Sequence, residues 1–196
     1  HGLNSRFKAD GQKPLLMYVN DFDDNGDIEQ VIFQYNGDES YPISLRHDLV
    51  MQMPILKKKY LKYENYKNQT VNDIFDQEKI NNSKINKVFD LETSIYISDD
   101  SLNFKKTILP VDVQFSTTNA ISIADYNNDS FKDILIGGNL YRVKPEMGKY
   151  DAQYGLVLLG DKHGKFKKMN SIESGINFVG QVREFLSIDN YLFVLN

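Results

Sequence analysis

The sequence predicts an all-β fold that is interrupted by one helical insertion. Short apolar runs recur between turn residues, which is the pattern of strands that follow one another in antiparallel sheets. A nine-residue acidic loop appears twice, at 21–29 and 125–133, with a strand pattern on each side. Between the two loops, residues 44–87 change to the apolar spacing of helices, so we expect this segment to be a helical insertion.

Composition indicates a folded protein and excludes several classes. Apolar residues make up 41% of the 196 residues and aromatic residues 12%, which is enough for a packed core. The chain has no cysteine, so disulfides and thiolate metal sites are excluded. The net charge of −4 is opposite to the basic balance of most nucleic-acid-binding proteins, and no apolar run is long enough to span a membrane. We therefore expect neither a nucleic-acid partner nor a membrane span.

Taken in order, the predicted strands form two similar units. The strands of the first unit are 15–20, 29–35, 93–98 and 104–109, and those of the second are 119–124, 132–140, 155–160 and 165–169. The turns at 98–104 and 160–166 also match, because each ends in phenylalanine. Residues 181–188 and 191–195 predict one more strand pair. Repeats of four short strands over about fifty residues are typical of β-propeller blades.

The repeat also predicts the domain boundaries. Residues 1–14 would end a preceding blade, 15–110 would form blade A with its helical insertion, 111–170 blade B, and 171–196 part of blade C. About two and a half blades do not close a ring, which needs four to eight. We therefore expect the chain to belong to a larger propeller, with self-association through open sheet edges as a further possibility.

Both acidic loops carry the oxygen ligands that calcium prefers. Positions 1, 3, 5 and 9 offer carboxylate or amide side chains, and position 7 offers its backbone carbonyl. The predicted ligands are Asp21, Asp23, Asn25, Asp27 (by its carbonyl) and Glu29 in the first loop, and Asp125, Asn127, Asp129, Phe131 (by its carbonyl) and Asp133 in the second. Because clustered carboxylates repel one another unless a cation balances them, we expect two structural Ca²⁺ ions. The alternative is an Asp- and Asn-rich turn that only begins a hairpin.

Two details refine this interpretation. An EF-hand needs a bidentate Glu at position 12 between two helices, but Ile32 and Ile136 stand at that position, inside predicted strands. Position 6 often requires a positive φ, which suits Gly26 in the first loop but predicts mild strain at Ser130 in the second.

Residues 18–32 and 123–138 resemble FG-GAP/VCBS repeats, the calcium-binding propeller blades also found in integrin α chains. Residues 137–141, 148–151 and 155–160 are similar to the C-terminal part of secreted bacterial proteins related to cartilage acidic protein. The resemblance implies a calcium-stabilised, extracytoplasmic propeller (secreted, at the cell surface or periplasmic) that binds or adheres to a protein or glycan ligand. It implies no reaction.

No catalytic pattern stands out in the sequence. The three histidines are far apart, and there is no nucleophile elbow, P-loop or dinucleotide-binding fingerprint. We therefore expect a binding module without catalysis of its own. Two alternatives stay open: a polysaccharide-active enzyme built on the same blades, and a structural spacer that docks a partner through residues 44–87.

Overall fold

The computed structural model describes residues 2–99, 101–145 and 148–196. Its strands pair only in antiparallel fashion and its helices are short, so the predicted mostly-β fold is confirmed. The chain divides into an N-terminal unit, Arg6–Leu91, and a C-terminal unit, Glu92–Asn196 together with the first five residues. No helix of the described part is long and apolar enough to cross a membrane.

The N-terminal unit contains one four-stranded sheet and a helical layer. Its strands are β1 (Leu15–Asn20), β2 (Glu29–Asn36), β3 (Glu39–Pro42) and β4 (Lys84–Val88), in the spatial order β3-β2-β1-β4. Its helices are α1 (Arg46–Gln52), α2 (Tyr63–Tyr66), α3 (Val71–Ile74) and α4 (Gln77–Asn81), with a 3-10 turn at Pro54–Lys57.

One face of this sheet packs against the helices. The register places Leu16 opposite Phe33 and Tyr18 opposite Val31, and all four side chains are 7% exposed or less. They share one apolar cluster with side chains from the helical segment, namely Leu49, Met53, Leu56, Tyr60, Val71, Ile74, Phe75 and Ile80. The insertion is therefore the second layer of this unit, and deleting it would expose the sheet to water.

The strand composition expected for blade A is corrected by the structure. β3 and β4, and not 93–98 and 104–109, complete the sheet around β1 and β2. The physical reason is that β2 pairs with β3 through a tight hairpin at Gly37, whose φ is 69°, and that the chain returns from the helices along the free edge of β1. For β3, closing this short loop costs less chain entropy than recruiting a strand sixty residues away.

The described part of the C-terminal unit contains eight strands, which form the second four-stranded sheet and two separate strand pairs. Its strands are β5 (Ile95–Ser98), β6 (Phe104–Thr107), β7 (Thr118–Ala124), β8 (Asp133–Gly138), β9 (Leu156–Gly160), β10 (Phe166–Lys168), β11 (Glu184–Ile188) and β12 (Tyr191–Leu195), with a 3-10 turn at Val111–Gln114 and the helix α5 (Ser171–Ser174). The sheet order is β10-β9-β8-β7, which confirms the four-stranded meander predicted for this part of the chain. The strand pairs β5-β6 and β11-β12 form as predicted, each as a separate two-stranded sheet.

The central strands β8 and β9 are buried on both faces, since Leu135 and Val157, which alternate with the residues of the main apolar cluster, are buried as well. Ile134 of β8 lies opposite Leu158 of β9, and Ile136 lies opposite Leu156, so that all four are buried. Val113 of the 3-10 turn is fully buried in the same cluster. Among the described residues no sheet closes on itself, so the structure shows antiparallel sheets and does not show a propeller.

The turns of β5-β6 and β9-β10 have the same hydrogen bonds, as their matching sequences suggested. The Asp99 carboxylate accepts from the N–H groups two and four residues later, at 2.9 and 3.0 Å, and Asp161 does the same at 2.8 and 2.9 Å. The backbone turns at a positive φ at Leu102 (61°) and at Gly164 (69°). Both carboxylates have a lowered pKa, chiefly because these N–H groups stabilise the charged form.

Candidate metal site

Loop 21–29 joins β1 to β2 and brings three carboxylates together. Asp21, Asp23 and Glu29 each place one carboxylate oxygen within 4.8 Å of the other two. Within residues 2–99, 101–145 and 148–196, no other group of three His, Cys, Asp or Glu side chains meets this condition. The structure therefore brings together the three carboxylates predicted at positions 1, 3 and 9 of the first loop.

The surroundings of this cluster are unfavourable for negative charge. Glu29 is only 3% exposed, and its Oε2 accepts one hydrogen bond, from the Phe22 N–H at 2.8 Å. Burial raises the pKa of Glu29, and the nearby carboxylates of Asp23 and Asp21 raise it as well. The hydrogen bond from the Phe22 N–H lowers this pKa, but by less than the other effects raise it. Oδ1 of Asp23 is buried and has no hydrogen-bond partner in the described part. A bound cation would stabilise both of these carboxylates.

The backbone of the loop wraps around Asp21. Its Oδ1 accepts from the Asn25 N–H at 3.1 Å and its Oδ2 from the Gly26 N–H at 3.0 Å. Burial acts to raise the pKa of Asp21, but these N–H groups outweigh burial, so the pKa is lowered and the carboxylate is charged. Oδ1 of Asn25 accepts a hydrogen bond from the Asp27 N–H at 2.7 Å. The turn needs a positive φ at Asp24 (59°) and at Gly26 (91°).

Loop 125–133 repeats the hydrogen bonds that the first aspartate of loop 21–29 accepts. Asp125 accepts from the N–H groups four and five positions later, those of Asp129 at 3.1 Å and Ser130 at 2.8 Å. Asp21 accepts from the N–H groups at the same two positions of its own loop. Asp129 accepts from the N–H of Phe131 at 2.8 Å, which is the counterpart of the bond that the Asp27 N–H donates to Asn25. The φ of Asn128 is 61°. The positive φ predicted for Ser130 is confirmed at 73°.

The two loops differ in what their last acidic residue contacts. Asp133 is fully buried, and its Oδ2 accepts from the Tyr126 N–H at 2.8 Å while its Oδ1 accepts from the Gly160 N–H at 2.9 Å. At position 3, Asn127 donates from Nδ2 to Asp129 at 2.8 Å. The carboxylates of this loop form no three-membered group in the described part of the chain. The buried carboxylate of the second loop is therefore satisfied by backbone N–H groups of the loop and of β9.

The remaining predicted ligands lie at the rim of the loops. Asn25 and Asp27 are exposed, and the Asp27 carboxylate is outside the three-carboxylate group. The backbone carbonyls of Asp27 and Phe131 stay predicted ligands.

Two contacts to the first loop were not predicted from the sequence. Lys79 of α4 donates to the Asp21 carbonyl oxygen at 2.7 Å and forms an ion pair with Asp24. Phe22 stacks on Phe75 of the helical layer, with 3.9 Å between the ring centres. Lys79 lies 58 positions from Asp21 in the chain, so no local pattern could have indicated this contact.

Comparison of the chain with protein-family models, curated proteins and solved structures found no match. The resemblance to FG-GAP/VCBS repeats therefore stays a prediction from the residues of the two loops.

Proposed function

We propose that loop 21–29 binds a calcium ion that stabilises the N-terminal unit, and that the chain is an extracytoplasmic binding module without catalysis of its own. The observation that carries the cation site is the convergence of Asp21, Asp23 and Glu29, with Glu29 buried and one oxygen of Asp23 buried without a partner. The binding role rests on the resemblance of both loops to calcium-binding blades.

Calcium fits the chemistry of this donor set better than other common metals. Three carboxylates, with the Asn25 amide beside them, offer oxygen atoms only, which hard cations prefer. Nitrogen or sulfur ligands, which zinc and copper favour, are absent from the loop. The loop is irregular and partly exposed, which suits the flexible coordination of calcium better than the strict octahedron of magnesium.

A bound ion at this loop would act on stability. The loop connects two paired strands, and Phe22 and Lys79 attach it to the helical layer. An ion held by the carboxylates would therefore hold strands and helices in place together, and its binding free energy would add to folding.

The second loop is proposed as a weaker site for the second ion. Asp125, Asn127 and Asp129 keep oxygen atoms at its exposed side, but both oxygens of Asp133 already accept backbone hydrogen bonds. Glu29, at the same position of the first loop, accepts only one such bond within the described residues, so an ion at the second loop would have to share or replace one bond more, which lowers its affinity.

The test is thermal unfolding of the whole chain with excess CaCl₂ and with excess EDTA. Binding adds about 2.7 kcal/mol when free calcium is about 100 times Kd, so we expect a clear rise in the unfolding temperature. Glu29→Gln should abolish most of this rise, because it removes a ligand charge while keeping an acceptor for the Phe22 N–H. In EDTA the unfolding temperature of this variant should be at least that of the wild type, because the substitution also removes a buried charge.

Asp27→Asn is the matched control. It removes one exposed carboxylate from the same loop but none of the three clustered ones, so the calcium effect should persist. The cation proposal is refuted if calcium does not shift unfolding of the wild type, or if Glu29→Gln responds to calcium as the wild type does. An equal shift with MgCl₂ would contradict the choice of calcium.

A further inference from the structure

We infer that a groove in the C-terminal unit binds neutral sugar residues of a glycan. The inference rests on the proposed role of the chain as a binding module and names the ligand class. The groove has a volume of about 620 Å³ and lies between the start of β9, the end of β10 and residues 171–177. This size is typical of pockets that bind small molecules.

The outer wall of the groove is held firmly against the sheet. The Phe178 N–H donates to the Tyr154 carbonyl oxygen at 2.7 Å. Gly155, whose φ is 86°, allows this close approach, because a Cβ built there would lie 2.5 Å from a methyl group of Ile176. The side chain of Asn170 caps the start of α5 by accepting from the Ile172 N–H at 2.9 Å. The groove is thus formed before any ligand arrives.

The charge of the groove favours a neutral ligand. Among the described residues, its lining contains two charged side chains, Asp112 and Lys168, and these form an ion pair with each other. An anionic or cationic ligand would have to compete with this pair for one of its members. A neutral ligand leaves the pair intact.

Three exposed polar side chains of the lining suit the hydroxyl groups of a sugar. The side chains of Tyr154, Ser171 and Asn177 are exposed, and none of the three makes a hydrogen bond within the described residues. Hydroxyl and amide groups can both donate and accept, as the hydroxyl groups of a sugar do.

Aromatic side chains complete this chemistry. Tyr154 is 54% exposed and Phe115 is 39% exposed, and both line the groove. Their rings offer an apolar surface on which the C–H groups of a sugar ring can pack, while the polar groups bind its hydroxyls. Free polar groups, aromatic surface and zero net charge together are what a neutral sugar requires.

The test is titration of the whole chain, in calcium, with cellohexaose, chitohexaose, mannohexaose, xylohexaose and maltohexaose, followed by calorimetry or NMR. We expect saturable binding of at least one of them. Tyr154→Ala and Asn177→Ala should each weaken that binding about tenfold, which is the size of a lost ring contact or hydrogen bond. Tyr191→Ala and Asn190→Ala remove the same residue types from the exposed β11-β12 hairpin and should bind as the wild type does.

The inference is overturned if none of the five oligosaccharides binds, if both groove variants bind unchanged, or if a heparin hexasaccharide alone binds. Each variant is first shown to unfold at the temperature of the wild type, so that a loss of binding is not a loss of fold. The calcium effect is measured on the same samples. A chain that responds to calcium but binds no sugar refutes the groove alone, and a chain that binds sugar without a calcium response refutes the cation site alone.

Discussion

Replacing Ser130 by glycine should stabilise the C-terminal unit. Ser130 has a φ of 73°, and a residue with a Cβ in this region costs roughly 1–2 kcal/mol. Glycine removes this cost but loses about 0.5–1 kcal/mol more chain entropy on folding. The Ser130 hydroxyl makes no hydrogen bond within the described residues, and the N–H that donates to Asp125 is kept. We expect a net gain of about 0.5–1 kcal/mol, or roughly 2–5 °C in the unfolding temperature.

Calorimetry in EDTA measures this effect without any contribution from a bound ion, and two variants control for it. Gly26→Ser makes the opposite change at the same position of the first loop, where a built Cβ meets no atom within 4 Å, so any loss of stability is conformational. Ser187→Gly replaces an exposed serine of β11 whose φ is not positive, and should destabilise by about 0.5–1 kcal/mol. If Ser130→Gly destabilises as Ser187→Gly does, the strain argument is wrong.

Two further substitutions test the contacts that hold the loops. Asp133→Asn should destabilise by about 2–4 kcal/mol even in EDTA, because the new NH₂ group would face one of the N–H groups of Tyr126 and Gly160. Phe22→Ala should cost about 3–5 kcal/mol, because Phe22 is 8% exposed and stacks on Phe75. Both are measured by urea unfolding.

Matched controls for these two substitutions lie on the exposed β11-β12 hairpin. Asp189→Asn changes a carboxylate in an exposed turn, and Phe193→Ala truncates a ring that is 50% exposed. Each should change the free energy of unfolding by less than about 1 kcal/mol. A loss as large as that of its buried counterpart would contradict the energetic role given to burial.

Local patterns in the sequence predicted the parts of the structure that depend on neighbouring residues. The acidic loops depend on side chains that bond to backbone groups a few positions away, as Asp21 and Asp125 do, so their spacing is visible in the sequence. The hairpins of the C-terminal unit follow from apolar alternation and from turn residues such as Gly164. The positive φ of Ser130 was predictable because Gly26 occupies the equivalent position.

Contacts between distant residues could not be predicted in the same way. β4 pairs with β1 although the whole helical segment separates them in the chain. The sequence of 84–88 has no strong apolar alternation to indicate a strand. Its five residues are mostly exposed, because an edge strand is fixed by backbone hydrogen bonds rather than by burial. The groove beside β9 likewise combines residues from 112 to 177, which no local pattern relates to one another.

Strand pairing outside the loops also explains why two loops with the same spacing of acidic and amide side chains differ as cation sites. In the C-terminal sheet, β9 runs alongside the whole start of β8, so that the Gly160 N–H reaches the carboxylate of Asp133. In the N-terminal sheet, β3 pairs with β2 only from Phe33 onward, so within the described residues β3 brings no N–H group to the carboxylate of Glu29. The carboxylate of Glu29 keeps an oxygen free for the cluster with Asp21 and Asp23. Strand pairing around each loop, and not the loop sequence alone, therefore makes 21–29 the stronger candidate.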